Sequence, residues 1–283
     1  MARLHFLTGA SLLLALAGCG PMLKTGAGTT LLTQPKLSSD TAVLELCSVR
    51  LTEAKAIAAS GLWPRIDEQV FPAELRRKLA ENGFQAGVVG PHLPEELQTM
   101  LAATDASPES PGDNEASGNT LSEKPRHKHF RSGIRHEFIT SDVQDSFALL
   151  LREDGQLRGR SFAKGQGLLA VKAFPRGDGL VRLEITPELH YGEEKHQYRT
   201  DGELILMQPG RRRETLDQFL IDVNLSAGQV LVLGCRPDMP GSAGQRFFSE
   251  KTSTGTLLRM MLIRVAQTQH DDLFGESPDD HDQ

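Results

Sequence analysis

Gly179-Leu180-Val181-Arg182-Leu183-Glu184-Ile185 decides the fold class of this chain. Apolar Val181, Leu183 and Ile185 alternate strictly with charged Arg182 and Glu184. A period of two puts successive side chains on opposite faces, so the segment reads as a half-buried β-strand with one wet face. Similar runs recur outward from it. Upstream are Phe147-Ala148-Leu149-Leu150-Leu151 and Gly167-Leu168-Leu169-Ala170-Val171-Lys172-Ala173. Downstream are Glu203-Leu204-Ile205-Leu206, Phe219-Leu220-Ile221-Asp222-Val223, Val230-Leu231-Val232-Leu233 and Leu257 to Val265. Turn residues such as Asp154-Gly155 and Gly177-Asp178-Gly179 separate them. Short strands at this spacing predict that residues 127–266 form a larger, mostly antiparallel β domain, a sandwich or barrel-like sheet. Aromatics make up 5% of the chain, so its core must be built from Leu, Val and Ile.

Between residues 104 and 126 the composition shifts to Ser, Pro, Gly, Asp, Glu, Asn and Thr, and such a segment buries too little surface to offset its ordering entropy. It reads as a disordered linker. Upstream, residues 42–103 predict a small α/β (βαβα) domain, which makes the whole chain α+β. Ala42-Val43-Leu44-Glu45-Leu46-Cys47-Ser48-Val49 is its first strand. Leu62, Ile66 and Val70 mark one helical face, and Phe71, Leu75 and Leu79 mark another. Pro72 divides them and suits the first turn of the second helix, which Asn82-Gly83 stops. Phe84-Gln85-Ala86-Gly87-Val88-Val89 is the second strand, and Pro94-Glu95-Glu96-Leu97 opens the last helix. Residues 267–283 are expected to fray as an acidic tail.

The N-terminus resembles that of a bacterial lipoprotein precursor. Met1-Ala2-Arg3 is positive, and Leu4 to Ala17 is apolar apart from His5, Thr8, Gly9 and Ser11. Spanning a bilayer needs ~20 apolar residues, so this run reads as an export signal, residues 1–18. Leu16-Ala17-Gly18-Cys19 closes it with a small-small-Cys step. The resemblance implies cleavage between Gly18 and Cys19 and acylation of the Cys19 thiol. Each buried CH₂ of the acyl chains adds ~0.8 kcal/mol, so several chains together hold the protein to the membrane. Gly20 in place of Asp implies the outer membrane, with the protein facing the periplasm. Residues 19–41, rich in Gly, Thr, Ser and Pro, read as a flexible tether from lipid to fold.

The chain has 31 Lys+Arg against 37 Asp+Glu, a net charge of −6 that becomes −7 when Arg3 leaves with the signal. This mild acidity gives no electrostatic footprint for nucleic acid. Of the three cysteines, Cys47 and Cys235 lie in strand-like runs in different halves of the chain. Their separation carries no disulfide spacing signal, and two buried thiols are expected rather than a bridge.

Three pieces of the β region resemble the C-terminal domain of bacterial secretins, the ring-forming outer-membrane channels. Gly165 to Val171 followed by Gly179 to Glu188 is similar to their paired strands with a Pro-Glu step, here Pro187-Glu188. Gly228-Gln229-Val230-Leu231-Val232-Leu233-Gly234 resembles their Gly-Gln turn and strand, and Pro240 to Phe248 with Leu257 to Val265 resembles their loop and closing strand. Cys235 stands where secretins carry a second Gly, the Pro/Gly loop occurs once, and residues 42–103 leave room for one ring-building module. The resemblance therefore implies a diverged relative or an accessory of a secretin-type complex rather than a full channel, with oligomerisation open. The same turn residues also suit an unrelated β-sandwich.

Catalytic and metal motifs are sparse. Ser161-Phe162-Ala163-Lys164 fits Ser-x-x-Lys, but its surroundings read as strand and turn rather than the start of a helix. His190, Glu193, Glu194 and His196 cluster around Gly192 in what reads as a solvated hairpin tip, with no fixed metal-ligand spacing. His127-Lys128-His129 and Asp279-Asp280-His281-Asp282 read as solvated, and Arg211-Arg212-Arg213 reads as a basic turn. No cofactor, no metal and no catalytic residue is assigned. The expectation is a non-catalytic envelope lipoprotein for assembly, scaffolding or protein-partner binding. Capture of a small ligand, glycan or metal is the alternative, and hydrolysis stands third.

Overall fold

The computed structural model describes residues 40–105, 123–153, 155–201, 204–253 and 255–269. Its strands build two antiparallel sheets of six strands each. The first sheet has the order β2 (Phe84–Val89), β10 (Val230–Cys235), β12 (Gly255–Gln269), β1 (Thr41–Thr52), β3 (Arg126–Arg131), and β11 (Ser249–Thr252) also pairs with β12. The second has the order β4 (His136–Ile139), β6 (Gln156–Pro175), β7 (Leu180–Asp201), β8 (Leu204–Thr215). There β5 (Gln144–Glu153) adds to β6, and β9 (Ile221–Ser226) adds to β7.

The alternation in β7 sets how the sheets meet. Val181, Leu183, Ile185 and Leu189 are fully buried and face the first sheet, while Arg182 and Glu184 lie on the outer face. Ala42, Leu44 and Leu46 of β1 join this core with Leu231, Leu233 and Ile263 from the first sheet. A second core covers the sheet's other face. There Cys47, Val49, Val232 and Leu262 pack beneath Leu62, Ile66 and Leu97. These last three come from the layer of α1 (Glu53–Ala58), the 3-10 turn Ala59–Arg65 with the residue that follows it, and α3 (Glu95–Asp105). Every residue of β10 is therefore buried, because both of its faces are covered. Helix α2 (Ala73–Glu81) inserts Leu79 into the inter-sheet core beside β2.

Strands β1 and β2 and helices α2 and α3 occupy their expected places in residues 42–103, but the helix expected over Leu62, Ile66 and Val70 is a 3-10 turn that ends at Arg65, and the two strands do not form a separate α/β domain. In such a unit the two strands would lie side by side in parallel. Instead β10 and β12 stand between β1 and β2, and both early strands pair antiparallel with late ones: Leu46 with Ile263, Val88 with Leu231. The described residues all fall in one compact unit. The linker's expected position lies between α3 and β3, and its residues 106–122 lie outside the described residues, as do the signal, Gly18, Cys19, the tether up to residue 39 and residues 270–283. Gln267, Thr268 and Gln269, expected in the tail, extend β12 and pair with Val43, Ala42 and Thr41. Among the described residues no helix is long and apolar enough to cross a membrane.

The Asn82-Gly83 stop does more than end α2. Asn82 is buried, and its side chain donates to the Lys78 and Arg152 carbonyls at 2.9 and 3.1 Å and accepts from the Arg152 N–H at 2.7 Å. It thereby ties α2 to β5. Gly83 takes φ +74°, and its carbonyl accepts from the Arg236 N–H at 2.8 Å. Against it packs α4 (Ala243–Phe247), a short helix in the stretch expected to be a loop; its cap, Ser242, accepts from the Gln245 N–H at 3.3 Å.

Candidate binding cleft

Strand β2 forms one edge of the first sheet. Its inner side pairs with β10 from Phe84–Cys235 to Val89–Val230. On its outer side Asp67 makes one antiparallel bridge to Val88, with both N–H···O distances 2.9 Å. The chain then turns away. Asp67 Oδ1 accepts from the Gln69 N–H at 2.8 Å, and the Phe71 N–H donates to the Glu68 carbonyl at 3.2 Å. These two turns steer it through Pro72 into α2. Period two aims the Ala86 backbone to the same side as that of Val88. The Ala86 N–H and C=O find no hydrogen-bond partner among the described residues.

A cleft of about 420 Å³ lies over this bare edge. Trp63 and Pro64 form one wall, Arg76 and Leu79 of α2 form the other, and Gln85 and Ala86 lie between them. Two buried side-chain atoms there have no hydrogen-bond partner among the described residues: the donor Arg76 Nε and the acceptor Gln85 Oε1. Each such orphan costs ~1–3 kcal/mol, which a ligand with complementary groups recovers. Arg236, also lining the cleft, is engaged by Asp238 through bonds of 3.1 and 2.7 Å. This pairing raises the Arg236 pKa, and the nearby Glu68 charge adds to the effect. Arg76 has no ion pair among the described residues.

A second polar cluster, on the outer face of the second sheet, is occupied by its own charges. The nearly buried Glu188 carboxylate meets Arg135, which also binds Glu137, and lies 3.8 Å from Arg213. Burial pushes the Glu188 carboxyl up, but His190, Arg135 and Arg213 outweigh it and hold the group below the usual carboxylate range. The His190 Nε2 stands 3.5 Å from Glu188, outside good hydrogen-bond alignment.

The other residues singled out from the sequence fall into structural settings. Ser161 sits on an exposed face of β6, and the Lys164 ammonium lies 2.6 Å from Glu193, so they form no nucleophile-base pair. Residues around Gly192 form a bulge inside β7 instead of a hairpin tip. The ladder shifts register between Tyr191 and Lys195 while Gly192 takes φ +81°, which lets the strand continue. Arg211-Arg212-Arg213 belongs to β8 rather than a turn, with Arg213 opposite His190. His127-Lys128-His129 belongs to β3, where Lys128 lies 4.8 Å from the centre of the Phe138 ring. Among the described residues no group of three His, Cys, Asp or Glu side chains could hold a metal. Cys47 and Cys235 form no disulfide. They lie on β1 and β10, on opposite sides of β12 and three residues out of register, so more than two strand spacings (~9.6 Å) separate them, beyond disulfide reach. Burial pushes the Cys235 thiol up to about 12.

Sequence reading missed the cleft. Trp63, the single tryptophan, was its one compositional hint. The bare edge depends on where residues 67–72 leave β2, and no local pattern encodes that. No protein-family model, curated protein or solved structure matches the chain.

Proposed function

We propose that the protein is a non-catalytic, lipid-anchored protein of the bacterial envelope, held by acylated Cys19 in the outer membrane, facing the periplasm and binding a protein partner. Two features support this reading. The first is the apolar leader ending at Leu16-Ala17-Gly18-Cys19. The second, which carries the binding role, is the cleft over the bare edge of β2, where a buried donor and a buried acceptor stand unpartnered among the described residues. A secretin-type complex is the partner setting that the sequence resemblance suggests. A small-molecule ligand is the second reading, favoured by a cleft volume within the ~300–1,000 Å³ of ordinary ligand sites.

Membrane fractionation of Cys19→Ser tests the anchor. The substituted protein is expected in the soluble envelope fraction and the parent in the membrane fraction. Retention of the variant in membranes would overturn the lipoprotein reading.

A further inference from the structure

Resting on the partner-binding reading, we propose that the bare edge of β2 takes an extended peptide as an added strand, with one carboxylate of that peptide on Arg76. Asp67 already uses this edge in strand geometry, bridging Val88 through two 2.9 Å hydrogen bonds. The next outward backbone pair, at Ala86, offers one donor and one acceptor in the alternation that a peptide backbone matches. Beside it, Gln85 Oε1 asks for a donor and Arg76 Nε asks for an acceptor.

Charge narrows the choice of peptide. The ionisable groups lining the cleft are Glu68, Arg76 and Arg236, and Asp238 engages Arg236. Glu68 adds a negative field near Arg236, so a polyacidic segment is disfavoured. Arg76 is the cation that lacks a carboxylate among the described residues. One acidic residue near an apolar one fits, the apolar side chain resting between Trp63 and Leu79. Asp67, bridged to Val88, and the end of α2 before Phe84 confine the opening to the stretch of β2 between them. Such a short window admits a docking segment while limiting open-ended sheet growth.

The test uses full-length protein in detergent and a random octapeptide library displayed on phage. Selection is expected to enrich peptides with one Asp or Glu beside an aliphatic or aromatic residue. A synthetic copy of an enriched peptide should slow amide exchange at Ala86 by roughly tenfold or more. Arg76→Leu, at a partly exposed helical position, should not lower the melting temperature and should weaken binding by roughly tenfold or more. Amidation of the peptide's carboxylate should do the same. No enrichment beyond that on Arg76→Leu, or bound peptides that leave Ala86 exchange unchanged, would overturn the proposal. So would Ala86 exchange that is already slow and speeds up when residues 270–283 are removed, since the chain would then fill its own edge. If Cys19→Ser releases the protein while every peptide fails, the anchor stands and strand addition falls.

Discussion

Glu188 shows how a single residue can couple stability to pH. Its side chain is 5% exposed and sits among Arg135, Arg213 and His190. Its folded pKa lies below the ordinary 4.5. Its stabilising contribution is therefore fully present above about pH 4.5 and disappears as the pH falls through the folded value. Glu188→Gln is expected to cost about 2 kcal/mol at pH 7, in the range of charged hydrogen bonds. The difference from the parent should shrink as the pH falls below 4.5 and through the folded value, as urea titrations across pH would show. Gly244 is constrained by space instead. A Cβ there would collide with the Gly83 carbonyl oxygen and the Phe84 nitrogen, which are backbone atoms and cannot swing away. Gly244→Ala should lower stability by about 3 kcal/mol, the upper end for overpacking, readable as a drop in melting temperature.

At the scale of elements, faces were legible and neighbours were not. Phe84–Val89 appears as the expected strand, and α2 ends at Asn82-Gly83 as read, with Pro72 as its N-cap rather than inside its first turn. Local period and cap chemistry encode both. Strand β3 was missed because Arg126-His127-Lys128-His129-Phe130-Arg131 is an edge strand with only Phe130 buried, leaving no apolar alternation to see. The bulge at Gly192 passed for a turn because glycine at positive φ serves both. The apolar run of β10 was read as a strand, but burial of both its faces was not, because its second cover comes from helices far away in sequence. Leu231→Ala should therefore cost about 3 kcal/mol in denaturant melts, a buried truncation that leaves a cavity. Leu150→Ala, at a side chain 40% exposed, should cost under about 1 kcal/mol.

At the scale of the whole molecule, composition drew a boundary that strand pairing crosses. The polar stretch between α3 and β3 looks like a divider, yet β1 lies between β12 and β3, and β2 completes the edge beyond β10. The cleft has the same dual origin, with Trp63, Arg76 and Gln85 from before that stretch and Arg236 from after it. Alternating residues report which side of a strand is dry; they do not report which strand lies alongside. A protein built this way unfolds as one unit, because removing residues 41–105 would strip two strands from the first sheet and expose the apolar faces of β10 and β12.

A protease site placed between residues 106 and 122 of full-length protein tests this arrangement most directly. After cleavage, the two fragments should elute together under native conditions and melt in one calorimetric transition. Fragments that separate without denaturant, with the later one keeping its native circular dichroism alone, would contradict the shared sheet.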